Sequence, residues 1–167
     1  MQEHWRASHW INPTTANISK KSFGRQAVRV LFDTNVILDV LLARAPHAAP
    51  AIELLDHVAR KELDAILGAT SVTTIYYLAE KAAGTAQARR HVSDLLNLFD
   101  IAAVTRPVLN DAMAMQFRDY EDAVLHEAAR QAGATAIVTR NPRDFAGAKL
   151  SLYQPSELLK LLRAASS

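Results

Sequence analysis

Short apolar runs and helix-spaced stretches take turns along this chain, and that alternation constrains the fold more than any other feature. Residues 28–32, 65–68, 101–104 and 136–139 read as strands, and residues 150–152 as a fifth, edge strand. Between them the apolar period lengthens to that of a helix. The first helix is predicted over residues 36–42, with Asn35 as its cap and Pro46 closing it. Pro50 suits the first turn of a second helix that runs to about residue 60. Thr70 or Ser71 is expected to cap a third through Lys81, ended by Gly84. Thr85 opens a fourth, with Ala88, Val92, Leu95, Leu96 and Phe99 as its apolar stripe. Further helices are predicted over residues 108–115, 119–131 (ended by Gly133) and 155–162. Strands alternating with helices imply an α/β fold with a mainly parallel sheet and right-handed crossovers.

The chain of 167 residues is long enough for one domain with a proper core. Half its residues are apolar and 22% are charged, which excludes a disordered chain. It has no cysteine, so disulfides, thiolate zinc sites and thiol catalysis are excluded together, and a reducing cytoplasm suits it. No apolar run approaches the roughly 20 residues of a membrane span, so no membrane association is expected. Residues 1–27 lack a sustained period and read as a flexible arm, with residues 28–165 as the folded domain. The arm repeats His4-Trp5 as His9-Trp10 and is basic, so the body is mildly acidic against a net charge of +2. Charge alone does not mark a strong nucleic-acid binder.

The acids carry the chemistry. Asp33 directly follows a fully apolar strand, where a carboxylate is costly unless something pairs with it. A parallel sheet also binds its ligands outside the carboxyl ends of its strands. Asn35 reads equally as a helix cap. Asp39, four residues on, is either support for a site or a solvated helix acid. Asp119, Glu121 and Asp122 open a helix, where the backbone dipole favours acids in any case. Asp122 is the strongest of the three, because the apolar pattern continues around it through Ala123, Val124, Ala128 and Ala129. Asp144 lies beyond the fourth strand and an Asn141-Pro142 turn, and ends near Asp33 if the two strands are neighbours. His47, His57, His91 and His126 show no ligand spacing with one another, and His126 reads as a helix-surface residue. There is no glycine-rich phosphate loop.

Residues 30–36 (VLFDTNV), 119–123 (DYEDA) and 138–145 (VTRNPRDF) together resemble the PIN-domain ribonucleases, most of all the bacterial branch that includes VapC-type toxins. The resemblance covers about residues 28–160. It implies a three-layer α/β/α sandwich and an endoribonuclease dependent on Mg2+ or Mn2+. It also implies Asp33, Asp122 and Asp144 as catalytic metal ligands, an RNA substrate, an antitoxin partner and a homodimer. One departure stands out. The family commonly has a second acid early in the helix after strand two, where this chain has Thr74. Glu80 is six residues later, about 240° around the helix, and faces away. Asp119 or Glu121 would have to compensate.

Phosphodiester hydrolysis suits such a site. A divalent ion neutralises charge on the phosphate and lowers the pKa of a bound water. Arg44, Arg140 and Arg143 are the cations placed to hold RNA phosphates against the acids' repulsion, with Asn35, Asn141 and Thr74 as further polar groups. Two other readings compete. A haloacid-dehalogenase-type phosphatase would want a second acid at the position of Asn35. A PIN-like module that binds RNA or protein without cutting would tolerate Thr74.

Overall fold

A computed structural model describes residues 28–166. The expected arm, residues 1–27, lies outside them. The element order is β1 (Arg29–Phe32), α1 (Thr34–Leu41), α2 (Ala48–Ala59), β2 (Asp64–Gly68), α3 (Ala69–Ala83), α4 (Thr85–Leu98) and β3 (Asp100–Ala102). It continues with α5 (Arg106–Met113), α6 (Tyr120–Gln131), β4 (Ala136–Val138), a 3-10 turn (Pro142–Phe145), β5 (Ser151–Tyr153) and α7 (Pro155–Ala165). The five strands form one sheet in the order β3-β2-β1-β4-β5, and every pairing is parallel. The sheet is therefore wholly parallel, with its first strand at the centre and helices on both faces.

Strand alternation sorts the core into two layers, because successive side chains point to opposite faces. Val30 and Phe32 of β1, Ala65 and Leu67 of β2, and Ala136 and Val138 of β4 pack with α1, α2, α3, α4 and α7. Leu31, Ile66 and Ile137 point the other way and pack with α5 and α6. Strands covered on both faces are apolar where they are buried, which is why β4 and residues 30–32 of β1 read as continuous runs after the half-buried Arg29. Gly68 ends β2 where α6 approaches it, and a Cβ there would run into the Leu125 side chain.

The structure departs from the sequence reading at two helix starts and along one helix face. Asp33, not Asn35, is the N-cap of α1: its backbone is extended and its carbonyl accepts the Val36 N–H at 3.0 Å. Asn35 is already helical. The third helix begins at Ala69 with Gly68 as its N-cap, so neither Thr70 nor Ser71 caps it. Gly84 does end it, with φ at 85°. In α4, Leu96 is exposed, and the buried stripe is Ala88, His91 and Leu95.

Candidate functional site

The carboxyl edge of the two central strands gathers the polar residues. β1 and β4 pair Phe32 with Val138, so the next residues, Asp33 and Thr139, leave the sheet side by side. The Asp33 N–H donates to the Val138 carbonyl at 2.9 Å, which fixes this register one residue beyond the strand. The Thr139 hydroxyl, fully buried, donates to Asp33 Oδ2 at 2.8 Å and accepts the Asn141 N–H at 3.0 Å. Asp33 is 7% exposed. Burial raises its pKa, the bonds from Thr139 and the Thr34 backbone pull it back, the Asp144 charge raises it, and the Arg140 charge lowers it.

Asp144 arrives on the 3-10 turn after β4. Its backbone N–H donates to the Asn141 carbonyl, and its Oδ2 accepts from Asn141 Nδ2 at 2.9 Å. Asn141 therefore ties the acid of the turn to the threonine that holds Asp33. Asp119 caps α6, accepting the Glu121 N–H at 2.7 Å. One turn inward Asp122 is half-buried, while Asp119 and Glu121 are exposed. Burial and then the charges of Asp119, Asp33, Asp144 and Glu121 push the Asp122 carboxyl up to about 7. Four acids thus act on Asp122, from three separate segments of the chain.

The cations and polar groups are distributed around this cluster. Asp39 is 1% exposed and accepts from Arg140 Nη1 at 2.9 Å, with Arg44 Nη1 at 3.8 Å. It is thus not a solvated helix acid. Arg143 is exposed. Asn35 is half-buried in the first turn of α1, beside Thr34, whose hydroxyl donates to the buried Ser71 at 2.9 Å. Thr74, three residues beyond Ser71 on α3, is half-buried, and its hydroxyl donates to the Thr70 carbonyl. Glu80 accepts from Tyr76 and Thr85 at the far end of the same helix, a local structural role.

His126 overturns its surface reading. It is fully buried, its Nε2 accepts the Lys149 N–H at 3.0 Å, and its Nδ1 lies 3.2 Å from Glu127 Oε1. The Lys149 bond requires a lone pair on Nε2, so the proton sits on Nδ1 and faces Glu127. Burial lowers the pKa of the ring, in keeping with a neutral imidazole.

The donor set suits a hard cation, being carboxylate oxygens without sulfur or clustered imidazole. Among the described residues, no three acids or imidazoles stand close enough together to make a ready cage. Mg2+ characteristically keeps several waters and takes one or two carboxylates together with substrate phosphates. An acid held buried at a strand end, with a second acid driven up by its neighbours, fits an ion held in that open manner.

A family profile described as the PIN domain matches residues 29–143. The chain belongs to the PIN-domain family. No curated protein sequence matches it. Several solved PIN-type structures share its fold. FitAcB from Neisseria gonorrhoeae superposes with a TM-score of 0.62 at 20% identity, over 76% of this chain and 98% of that one. VapC20 of Mycobacterium tuberculosis, described as a sarcin-ricin loop cleaving toxin, gives 0.57 at 15%, over 71% and 95%. A toxin–antitoxin complex from Klebsiella pneumoniae gives 0.54 at 20%, over 75% and 97%. The PIN fold of this chain is thus shared with toxin–antitoxin proteins, one of them an RNA-cleaving toxin. The sequence did not single out Thr139 or the partner of Asp39. A threonine ending an apolar strand beside a strand-end acid was the available signal for the first. The second depends on Arg140, 101 residues away.

Proposed function

We propose that this PIN-domain protein is an endoribonuclease that hydrolyses RNA phosphodiester bonds with Mg2+ or Mn2+. We further propose that it is the toxin of a toxin–antitoxin pair in the cytoplasm. The observation that carries the reading is the convergence of acids at the carboxyl edge of the sheet, where the charges of Asp33 and Asp144 both raise the pKa of Asp122 and that of Asp144 raises Asp33. Carboxylates that raise one another's pKa are destabilising unless a cation or a proton joins them. A parallel sheet places its ligand site at this same edge.

In this reading Asp33, Asp122 and Asp144 hold the metal, with Asp119 and Glu121 adding negative field where Thr74 replaces an acid. The bound ion would supply charge neutralisation at the phosphate and a water of lowered pKa. The chain's own groups do the positioning. Thr139 holds Asp33 through Oδ2. Asn141 orients Asp144. Asn35 offers an amide beside the first turn of α1. Arg44, Arg140 and Arg143 supply the positive charge that an RNA strand needs next to an acidic site. An antitoxin protein and a second copy of this chain are the proposed partners, supported by the fold shared with toxin–antitoxin complexes.

A second reading, a PIN module that binds without cutting, is favoured by Thr74 and by the open acid arrangement. An RNA cleavage assay with Mn2+, Mg2+ or EDTA separates the two. The nuclease reading expects cleavage with either ion, none in EDTA and none from Asp33→Asn. RNA bound but left intact under all conditions would favour the binding module.

A further inference from the structure

Asp39 has no place among the acids just described. It sits on α1, is almost fully buried, and among the described residues its carboxylate is met by no hydroxyl or backbone N–H. Its partners are two arginines, Arg140 at 2.9 Å and Arg44 at 3.8 Å. A buried carboxylate without a cation is strongly destabilising, so the pairing with Arg140 is firm. Yet both arginines keep about a third or more of their side chains in solvent, at 34% and 39%. Asp39 therefore holds the Arg140 guanidinium through Nη1, with Arg44 paired beside it, while both arginine side chains stay partly open to solvent.

The position of that anchor matters. Arg140 directly follows Thr139, the donor to Asp33, and its charge reaches the Asp33 carboxylate. Asp122, Asp119 and Glu121 come from α6, which packs on the opposite face of the sheet from α1. Asp33 thus stands between an acidic flank and a basic one. A guanidinium fork matches phosphate oxygens, and holding it still reduces the entropy lost on binding.

We propose that Asp39 is a positioning residue that fixes Arg140, with Arg44 beside it, as a phosphate-binding rim on the α1 side of the site. The rim takes a phosphate of single-stranded RNA adjacent to the one that faces the acids. This rests on the RNA reading above but not on cleavage, because the rim binds RNA whether or not the acids cut it.

The test is binding of a fluorescent single-stranded RNA oligonucleotide in EDTA at several salt concentrations. Cleavage with Mn2+ and melting temperature are measured on the same proteins. Arg140→Met is expected to weaken binding about tenfold and to flatten the dependence of log K on log salt by roughly 0.7, the loss of one phosphate contact on a single strand. Asp39→Asn is expected to weaken binding in the same direction by less, and Asp39→Glu to restore part of it. With Mn2+ present, both variants should raise KM more than they lower kcat. Arg140→Lys keeps the charge and serves if Arg140→Met does not fold. It should retain the salt slope while binding less tightly, since a fork becomes a point charge. Wild-type affinity and salt slope in Asp39→Asn and in the Arg140 variant that folds would overturn the proposal, whatever the melting temperatures do. So would a wild-type protein that binds no RNA in EDTA. Loss of cleavage in all proteins with the binding differences intact would count against the nuclease reading alone.

Discussion

Asp33 and Asp122 come to the same edge of the sheet on opposite kinds of scaffold. Asp33 is deeply buried at the end of β1, but it is answered by a hydroxyl from Thr139 and by the Thr34 backbone. Asp122 is more open to solvent, yet its partial burial and then the charges of four other acids push its carboxyl up to about 7. Burial alone therefore does not decide which acid is strained. Hydrogen-bond donors stabilise a carboxylate in place, and like charges destabilise one that water can still reach. The fold builds Asp33 into its frame and leaves Asp122 short of a positive partner.

The largest effect expected from this contrast is on catalysis. Asp33→Asn and Asp122→Asn should each lower metal-dependent RNA cleavage by on the order of a thousandfold, because metal charge stabilisation is worth several kcal/mol. Steady-state rates with Mn2+ check this, and near-wild-type activity in either variant would remove that residue from the site. Stability should then separate the two regions. Thr139→Val strips Asp33 of its buried donor and frees the Asn141 N–H, and should destabilise the protein by about 1–3 kcal/mol in urea unfolding. No such loss is expected at Asp122, whose carboxylate has no hydrogen-bond donor among the described residues.

The strands were legible because a sheet covered on both faces leaves no room for polar side chains, so residues 28–32 and 136–139 stand out as runs. The edge that carries Asp33 followed from the chain direction alone. What escaped depended on partners distant in sequence. His126 is buried among residues 123–129, which are covered all round by the sheet, α5 and the loop that brings Lys149 to its ring. A helix with His126 and Glu127 as the polar residues of such a stretch looks amphipathic until that loop is placed. Asp39 reads two ways in the sequence for the same reason, its cation Arg140 lying far along the chain. Asn35 was a reasonable cap by type, but the chain turns into the helix two residues before its apolar pattern begins.

Acidity gives a smaller, graded test of the contrast. The raised pKa of Asp122 means that the folded protein keeps a proton which the unfolded chain, near 3.8, has already released. Stability of the metal-free protein should therefore fall as pH rises from about 4 to about 7, then level off. Asp33, also raised, contributes in the same direction. In Asp122→Asn the fall should be shallower, as melting temperatures across that range would report. The smallest effect belongs to Glu80→Gln: its partners Tyr76 and Thr85 are local, and cleavage should stay within about twofold of wild type.

Binding of Mn2+ tests the central claim, that these acids form one cation site, most directly. A ligand that binds only the folded state adds RT ln(1 + [L]/Kd), about 2.7 kcal/mol at a hundred times the dissociation constant. Unfolding free energies of wild type and Asp122→Asn, each with and without Mn2+, give the answer in one experiment. The account predicts a gain of that size in wild type, a much smaller gain in Asp122→Asn, and a metal-free Asp122→Asn more stable than metal-free wild type above pH 7. Equal gains in the two proteins, with a less stable metal-free variant, would contradict it.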